Sequence, residues 1–131
     1  MIAFKEFKDI QNQKDLYLLV AEFYKKLLAD SRINYIFTDV VKIKIEEHLP
    51  ILVVFWSQMI LGTGGYTNNL TDIHLKVDQL KHLSPALFDI WLHHFFETVD
   101  QNFYGKNANE IKLQAKNLSI ILQIKIGRQN K

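Results

Sequence analysis

The stretch His48-Leu49-Pro50-Ile51-Leu52-Val53-Val54-Phe55-Trp56-Ser57-Gln58-Met59-Ile60-Leu61, stopped by Gly62, decides the architecture of this 131-residue chain. Leu52, Phe55, Trp56 and Met59 recur at spacings of three and four, the period of a helix with one apolar face, and strict alternation is rare elsewhere. The chain therefore reads as all-α. Pro50 lacks a backbone donor and disfavours helical geometry at Leu49, so the helix is expected to begin or bend here. His48 then sits near the helix start, pointing into a groove, with a flat hydrophobic wall below it.

Upstream, Val41-Lys42-Ile43-Lys44-Ile45 alternates like a strand but has no partner strand. With Glu46 and Glu47 following, it reads as the solvated start of the same helix, which runs from about Lys42 to Leu61. An earlier helix, about Asp15 to Ala29, places Leu16, Leu19, Val20, Phe23, Leu27 and Leu28 on a broad apolar face, with Tyr24 on or beside it. Downstream, Ser84-Pro85 supplies an N-cap and a proline at the first helical position. Leu87, Phe88, Trp91, Leu92, Phe95, Phe96, Val99 and Phe103 form that helix's face, and Gly105 is a natural end. A last helix, about Ala108 to Ile126, aligns Ile111, Ala115, Leu118 and Leu122, with Lys125 and Arg128 near its C-terminal dipole. The tail from Lys125 to Lys131 is short, polar and expected to fray. Between Gly62 and Ser84 the chain is less regular, with His74 among Leu70, Ile73, Leu75, Val77 and Leu80, on one short helix at most. No repeat or linker interrupts residues 1–131, which are expected to form one domain.

Composition narrows the function classes. Hydrophobic residues make up 48% and charged residues 23%, ordinary values for a globular protein and wrong for a disordered one. A chain this long buries roughly two-thirds of its unfolded surface, enough to enclose a ligand. The net charge of +2 comes from scattered Lys and Arg, which excludes the clustered footprint of a nucleic-acid binder. Zero cysteines exclude disulfides, Fe–S clusters and thiolate-bound metals, so any metal is held by His, carboxylate or Tyr. Charges at Lys5, Glu6, Lys8 and Asp9 break up the Met1–Ile10 segment, unlike a signal peptide, and the apolar run Leu49–Trp56 is too short for a bilayer. A cytoplasmic protein that binds neither membrane nor nucleic acid is expected. Gly62, Gly64 and Gly65 form a turn: no strand precedes them and no Lys-Ser/Thr pair follows, as a phosphate loop requires.

Four residues on the apolar segments carry chemistry: His48, His74, Tyr24 and Trp91. A five-coordinate haem needs one neutral imidazole on iron, an apolar slot for the macrocycle, and distal hydrogen-bond donors that decide the fate of bound oxygen. Tyr and Trp suit that distal role, since a phenol donates or accepts while an indole nitrogen only donates. His93, His94 and His82 are expected to be solvated.

Phe23-Tyr24, Ile36-Phe37, His48-Leu49-Pro50 with Phe55-Trp56, Leu61-Gly62-Thr63-Gly64 with Tyr66, then His74 and Trp91-Leu92, resemble the group III truncated haemoglobins from about Phe4 to Ile124. The separations are the specific part, eight residues from His48 to Trp56 and eighteen from Trp56 to His74. The resemblance implies a shortened globin fold, two helices over two around haem b (iron protoporphyrin). It implies His74 as proximal iron ligand, Tyr24 and Trp91 as distal residues, and His48 as a distal-helix gate. It also implies that Phe37, Phe55 and Trp56 pack against the porphyrin. Together with Leu52, Tyr66, Ile73, Val77 and Phe88 these are the expected walls of the slot. Two departures stand out: Thr67-Asn68-Asn69-Leu70-Thr71-Asp72 replaces a Gly, Pro and Met-like stretch before the histidine, and Gln114-Ala115 replaces an Arg-Ala pair.

The expected function is binding of dioxygen, nitric oxide, carbon monoxide or peroxide at the haem. Several distal donors raise affinity at the expense of release, which favours nitric-oxide detoxification or peroxidase-like redox chemistry, with a reductase or small-molecule electron donor, in a monomer. An oxygen carrier, store or gas sensor, and a haem-free helical binding module, stand as alternatives.

Overall fold

Helices account for nearly all regular structure in the computed structural model, which describes residues 7–131. Met1–Glu6, including the start of the segment judged for a signal peptide and Phe4 where the resemblance begins, lie outside the described residues. The elements are α1 (Gln13–Ala29), a π-helical turn (Ile36–Val40), α2 (Ile45–Leu61), α3 (Leu70–Leu80), α4 (Pro85–Asn102) and α5 (Lys106–Gln129). α1 packs on α2 and α4, while α5 packs on α4, α2 and α3. The α1–α2 pair is laid over the α4–α5 pair, the two-over-two arrangement that the resemblance implied. Phe95, Leu16, Leu19, Leu27 and Ile111 are fully buried where these pairs meet. Among the described residues no helix is long and apolar enough to cross a membrane.

Local chemistry explains most of the boundaries. Asn12 and Ser84 cap α1 and α4 by accepting from the backbone N–H groups of Asp15 and Leu87, and Pro85 occupies the first position of α4. Gly62 ends α2 in the left-handed conformation at φ 70°, the usual geometry for a helix stop. Pro50 lies inside α2, in its second turn, where it withholds one backbone donor from the Glu46 carbonyl, yet α2 runs through it rather than starting there. His48 therefore occupies the first turn of α2.

Several boundaries differ from those expected. α2 begins at Ile45, because Lys42 takes a positive φ of 52° and Ile43 folds back to donate its N–H to the Phe37 carbonyl. Val41–Lys44 is thus an irregular connection rather than a helix start. α4 ends at Asn102, leaving Phe103 as its buried C-cap, and Gly105 is the N-cap of α5. Asp9 reaches across from the chain start to accept from the N–H groups of Asn107 and Ala108, so the first turn of α5 is capped from a distance. The irregular 62–84 region contains an eleven-residue helix, α3.

The C-terminal tail is helical rather than irregular. α5 continues to Gln129, and the side-chain amides of Gln129 and Asn130 donate to Asp78 on α3 at 3.2 and 3.1 Å. The partner lies about fifty residues away in sequence, beyond the reach of local composition.

Candidate functional site

The proximal side is built on α3. Asn69 caps this helix by accepting from the N–H of Asp72 at 3.0 Å, which starts the helix one turn before His74. His74 Nδ1 lies 2.8 Å from the Leu70 carbonyl. A carbonyl only accepts, so Nδ1 carries the proton and Nε2 keeps its lone pair. Burial lowers the His74 pKa, opposed in part by the Leu70 carbonyl, and the ring is neutral. An oriented neutral imidazole with its second nitrogen held by a backbone carbonyl is the usual state of a metal-ligating histidine.

The other side comes from α1 and α2. Tyr24, 6% exposed, hydrogen-bonds through its hydroxyl to His48 Nε2 at 2.9 Å. Burial pushes the Tyr24 phenol well above its ordinary pKa, so it holds its proton. The His48 pKa is lowered, first by burial and then by His74 across the cavity. The pair is therefore neutral on both members. Phe37 packs edge-on against Tyr24 at 5.4 Å. Trp91 on α4 stacks on Phe95 and meets Phe23 edge-on.

Tyr24, His48, Trp91 and His74 all line one cavity of about 1050 Å³, its open mouth included. Its walls are apolar on nearly every side, as the slot for a large flat hydrophobic cofactor requires. Phe37, Leu52, Phe55, Trp56, Ile73, Val77 and Phe88 line it as well. Tyr66 does not. It sits behind the wall, ring to ring with Phe55 at 5.0 Å, because its N–H is tied to the Gln58 side chain on α2. His94 is likewise misplaced by the sequence: rather than solvated, it is 14% exposed and its Nε2 meets the Asp30 carboxylate at 2.7 Å. His93 and His82 are largely exposed, as expected.

Sequence reasoning missed Ile33, Ile36, Val41, Ile43, Leu83 and Leu87, which complete the apolar wall. It also missed Ser119, a 1% exposed hydroxyl on α5 between Leu118 and Leu122. The one-turn spacing of Leu118 and Leu122 was a usable signal for that wall. Ile43 carried none, since its position depends on the kink at Lys42.

The donor set fits haem. None of the described lining residues carries a fixed charge, and among the described residues no group of three or more His, Cys, Asp or Glu is placed to hold a metal ion. A single available imidazole in an apolar slot suits a metal that arrives with its own equatorial ligands. Where the Arg-Ala pair is replaced, Gln114 donates to Glu110 at 2.8 Å on its own helix.

No family model matches the chain. It is similar to the group 3 truncated haemoglobin ctb of Campylobacter jejuni subsp. jejuni, with 29% identity over 108 residues, 80% of this chain and 83% of that protein. It is also similar to the crystal structure of group III truncated haemoglobin from Campylobacter jejuni, with a TM-score of 0.82 and 26% identity over 92% of this chain and 95% of that one.

Proposed function

We propose that this chain, which belongs with the group III truncated haemoglobins, holds haem b through His74 and retains a diatomic gas for redox chemistry instead of ferrying it. The observation that carries this is the His74 ring, fixed by Leu70 at 2.8 Å, sharing an apolar cavity with the hydrogen-bonded Tyr24–His48 pair. Bound haem supplies an iron centre that takes dioxygen, nitric oxide, carbon monoxide or peroxide.

The chain's own residues set the conditions there. His74 offers a neutral, oriented nitrogen. The apolar walls exclude water, so each hydrogen bond inside is stronger than in solvent. Tyr24 keeps its proton and can donate it. Which way that hydroxyl points depends on His48: Nε2 as acceptor captures the Tyr24 proton, whereas Nε2–H donating to the phenol oxygen leaves the Tyr24 O–H free for the cavity. Trp91 adds an indole N–H that can only donate. Two donors of this kind hold a partly negative ligand and slow its release, which suits nitric-oxide removal or peroxide turnover better than delivery. A reductase or small-molecule donor returns the electron, and in this reading the chain works as a cytoplasmic monomer.

The test is haem titration of the purified protein. A sharpened, shifted Soret band that saturates at one haem per chain in the parent, and loses its axial-histidine signature in His74→Ala, is expected; a spectrum that stays that of free haem at every ratio overturns the haem reading.

A further inference from the structure

A continuous line of rings runs along the cavity wall and ends outside it at Tyr66. Trp91 lies nearly parallel to Phe95, 7° between planes, with centroids 5.3 Å apart. Phe95 packs on Trp56 at 5.1 Å, Trp56 on Phe55 at 4.9 Å, and Phe55 on Tyr66 at 5.0 Å. Trp91, Trp56 and Phe55 line the cavity, Phe95 is fully buried, and Tyr66 lies outside the wall with its ring part-exposed. The loop bearing Tyr66 is pinned to α2 twice, by the Thr63–Ser57 hydroxyl pair at 2.7 Å and by the Tyr66 N–H on Gln58 at 3.1 Å. The Tyr66 ring is therefore held in register on Phe55.

Tryptophan and tyrosine lose one electron far more readily than phenylalanine. Trp91, Trp56 and Tyr66 are thus the sites where charge can rest, and Phe95 and Phe55 are the bridges between them.

We propose that Tyr66 is the outer end of an aromatic electron path running through Trp91, Phe95, Trp56 and Phe55, and that it oxidises a phenolic donor in solution one electron at a time. The proposal rests on the haem reading, with hydrogen peroxide as oxidant. Peroxide takes up two electrons and two protons and becomes two waters. Each electron is drawn from Tyr66 through the path, and the Tyr66 phenol releases its proton to water. The resulting tyrosyl radical takes a hydrogen atom from a phenol, so two donor molecules become two phenoxyl radicals for each peroxide consumed.

The experiment treats haem-loaded protein with hydrogen peroxide, records the radical by freeze-quench electron paramagnetic resonance, and maps phenol-coupled tyrosines by peptide mass spectrometry. Expected are a tyrosyl signal and coupling at Tyr66, both lost in Tyr66→Phe with haem uptake unchanged. Tyr104 and Tyr17 are 78% and 46% exposed and lie on none of these ring contacts. Coupling that follows exposure to Tyr104 and Tyr17, or a signal that persists in Tyr66→Phe, overturns the path while leaving the haem reading intact. A parent that takes up no haem overturns both.

Discussion

The Tyr24 hydroxyl on α1 and His48 Nε2 on α2 lie 2.9 Å apart, and burial keeps the phenol protonated and the imidazole neutral. Two neutral arrangements satisfy this distance: the Tyr24 O–H donating to Nε2, or an Nε2–H of the other His48 tautomer donating to the phenol oxygen. The bond is therefore a switch for the direction of the Tyr24 donor, rather than an ion pair that locks it.

Removing that donor should speed gas release. Tyr24→Phe deletes the hydroxyl but keeps the ring against Phe23 and Phe37. Loss of one neutral hydrogen bond, about 1.4 kcal/mol, predicts a rise of about tenfold in the dioxygen dissociation rate of the ferrous haem-loaded protein. Stopped-flow displacement by carbon monoxide measures it. Rapid release in the parent that the variant barely changes would sink the retention reading.

The helix that presents His74 depends on its cap. Asn69 Oδ1 satisfies the Asp72 N–H at 3.0 Å, and Asn69→Ala leaves that donor without a side-chain partner. A loss of about 1 kcal/mol is expected, read from the urea midpoint, with Asn69→Asp restoring it because aspartate caps equally well. Equal midpoints for the parent and Asn69→Ala would show that the cap does not hold α3.

What was legible in the sequence follows from how local each signal is. Ser84-Pro85 located the start of α4 because an N-cap and a first-position proline act within one turn. The four chemical residues were legible as a set through the resemblance, carried by the separations from His48 through Trp56 to His74, and the structure brings all four to one cavity. Tyr66 was not, since the direction of its ring depends on a loop turned by Gly64 and Gly65 at φ 70° and 97° and on the Gln58 tether. The Asp30–His94 pair spans sixty-four positions, and no pattern within α4 marks a histidine for a partner at the end of α1.

Gly105 is constrained on both counts that matter for glycine. Its φ is 142°, and a Cβ there would fall 2.6 Å from Asp9 Cγ. Asp9 cannot move aside without giving up the N–H groups of Asn107 and Ala108. Gly105→Ala should therefore cost about 1–3 kcal/mol, measured by thermal or urea unfolding. Combining it with Asp9→Gly tests the cause: all three of the closest atoms belong to the Asp9 side chain, so that clash then disappears, and the two losses should fall short of additive.

Asp78 predicts an acid response. Its side chain is 2% exposed and accepts from the Leu83 N–H at 2.7 Å, from His82 at 2.8 Å, and from Gln129 and Asn130. Burial alone would raise its pKa, but these hydrogen bonds outweigh it and hold the carboxyl below its ordinary value of 3.8. A carboxylate depressed in the folded state contributes stability that is fully present above the unfolded pKa and is lost as pH falls through the folded one. Stability should thus decline below about pH 4, first where α5 closes on α3, and amide exchange at Gln129 and Leu83 should accelerate before global unfolding. Asp78→Ala leaves the Leu83 N–H unpaired and should cost about 1–3 kcal/mol at neutral pH, with a weaker dependence on acid. An unchanged acid profile in that variant would show that the carboxylate does not clamp the tail.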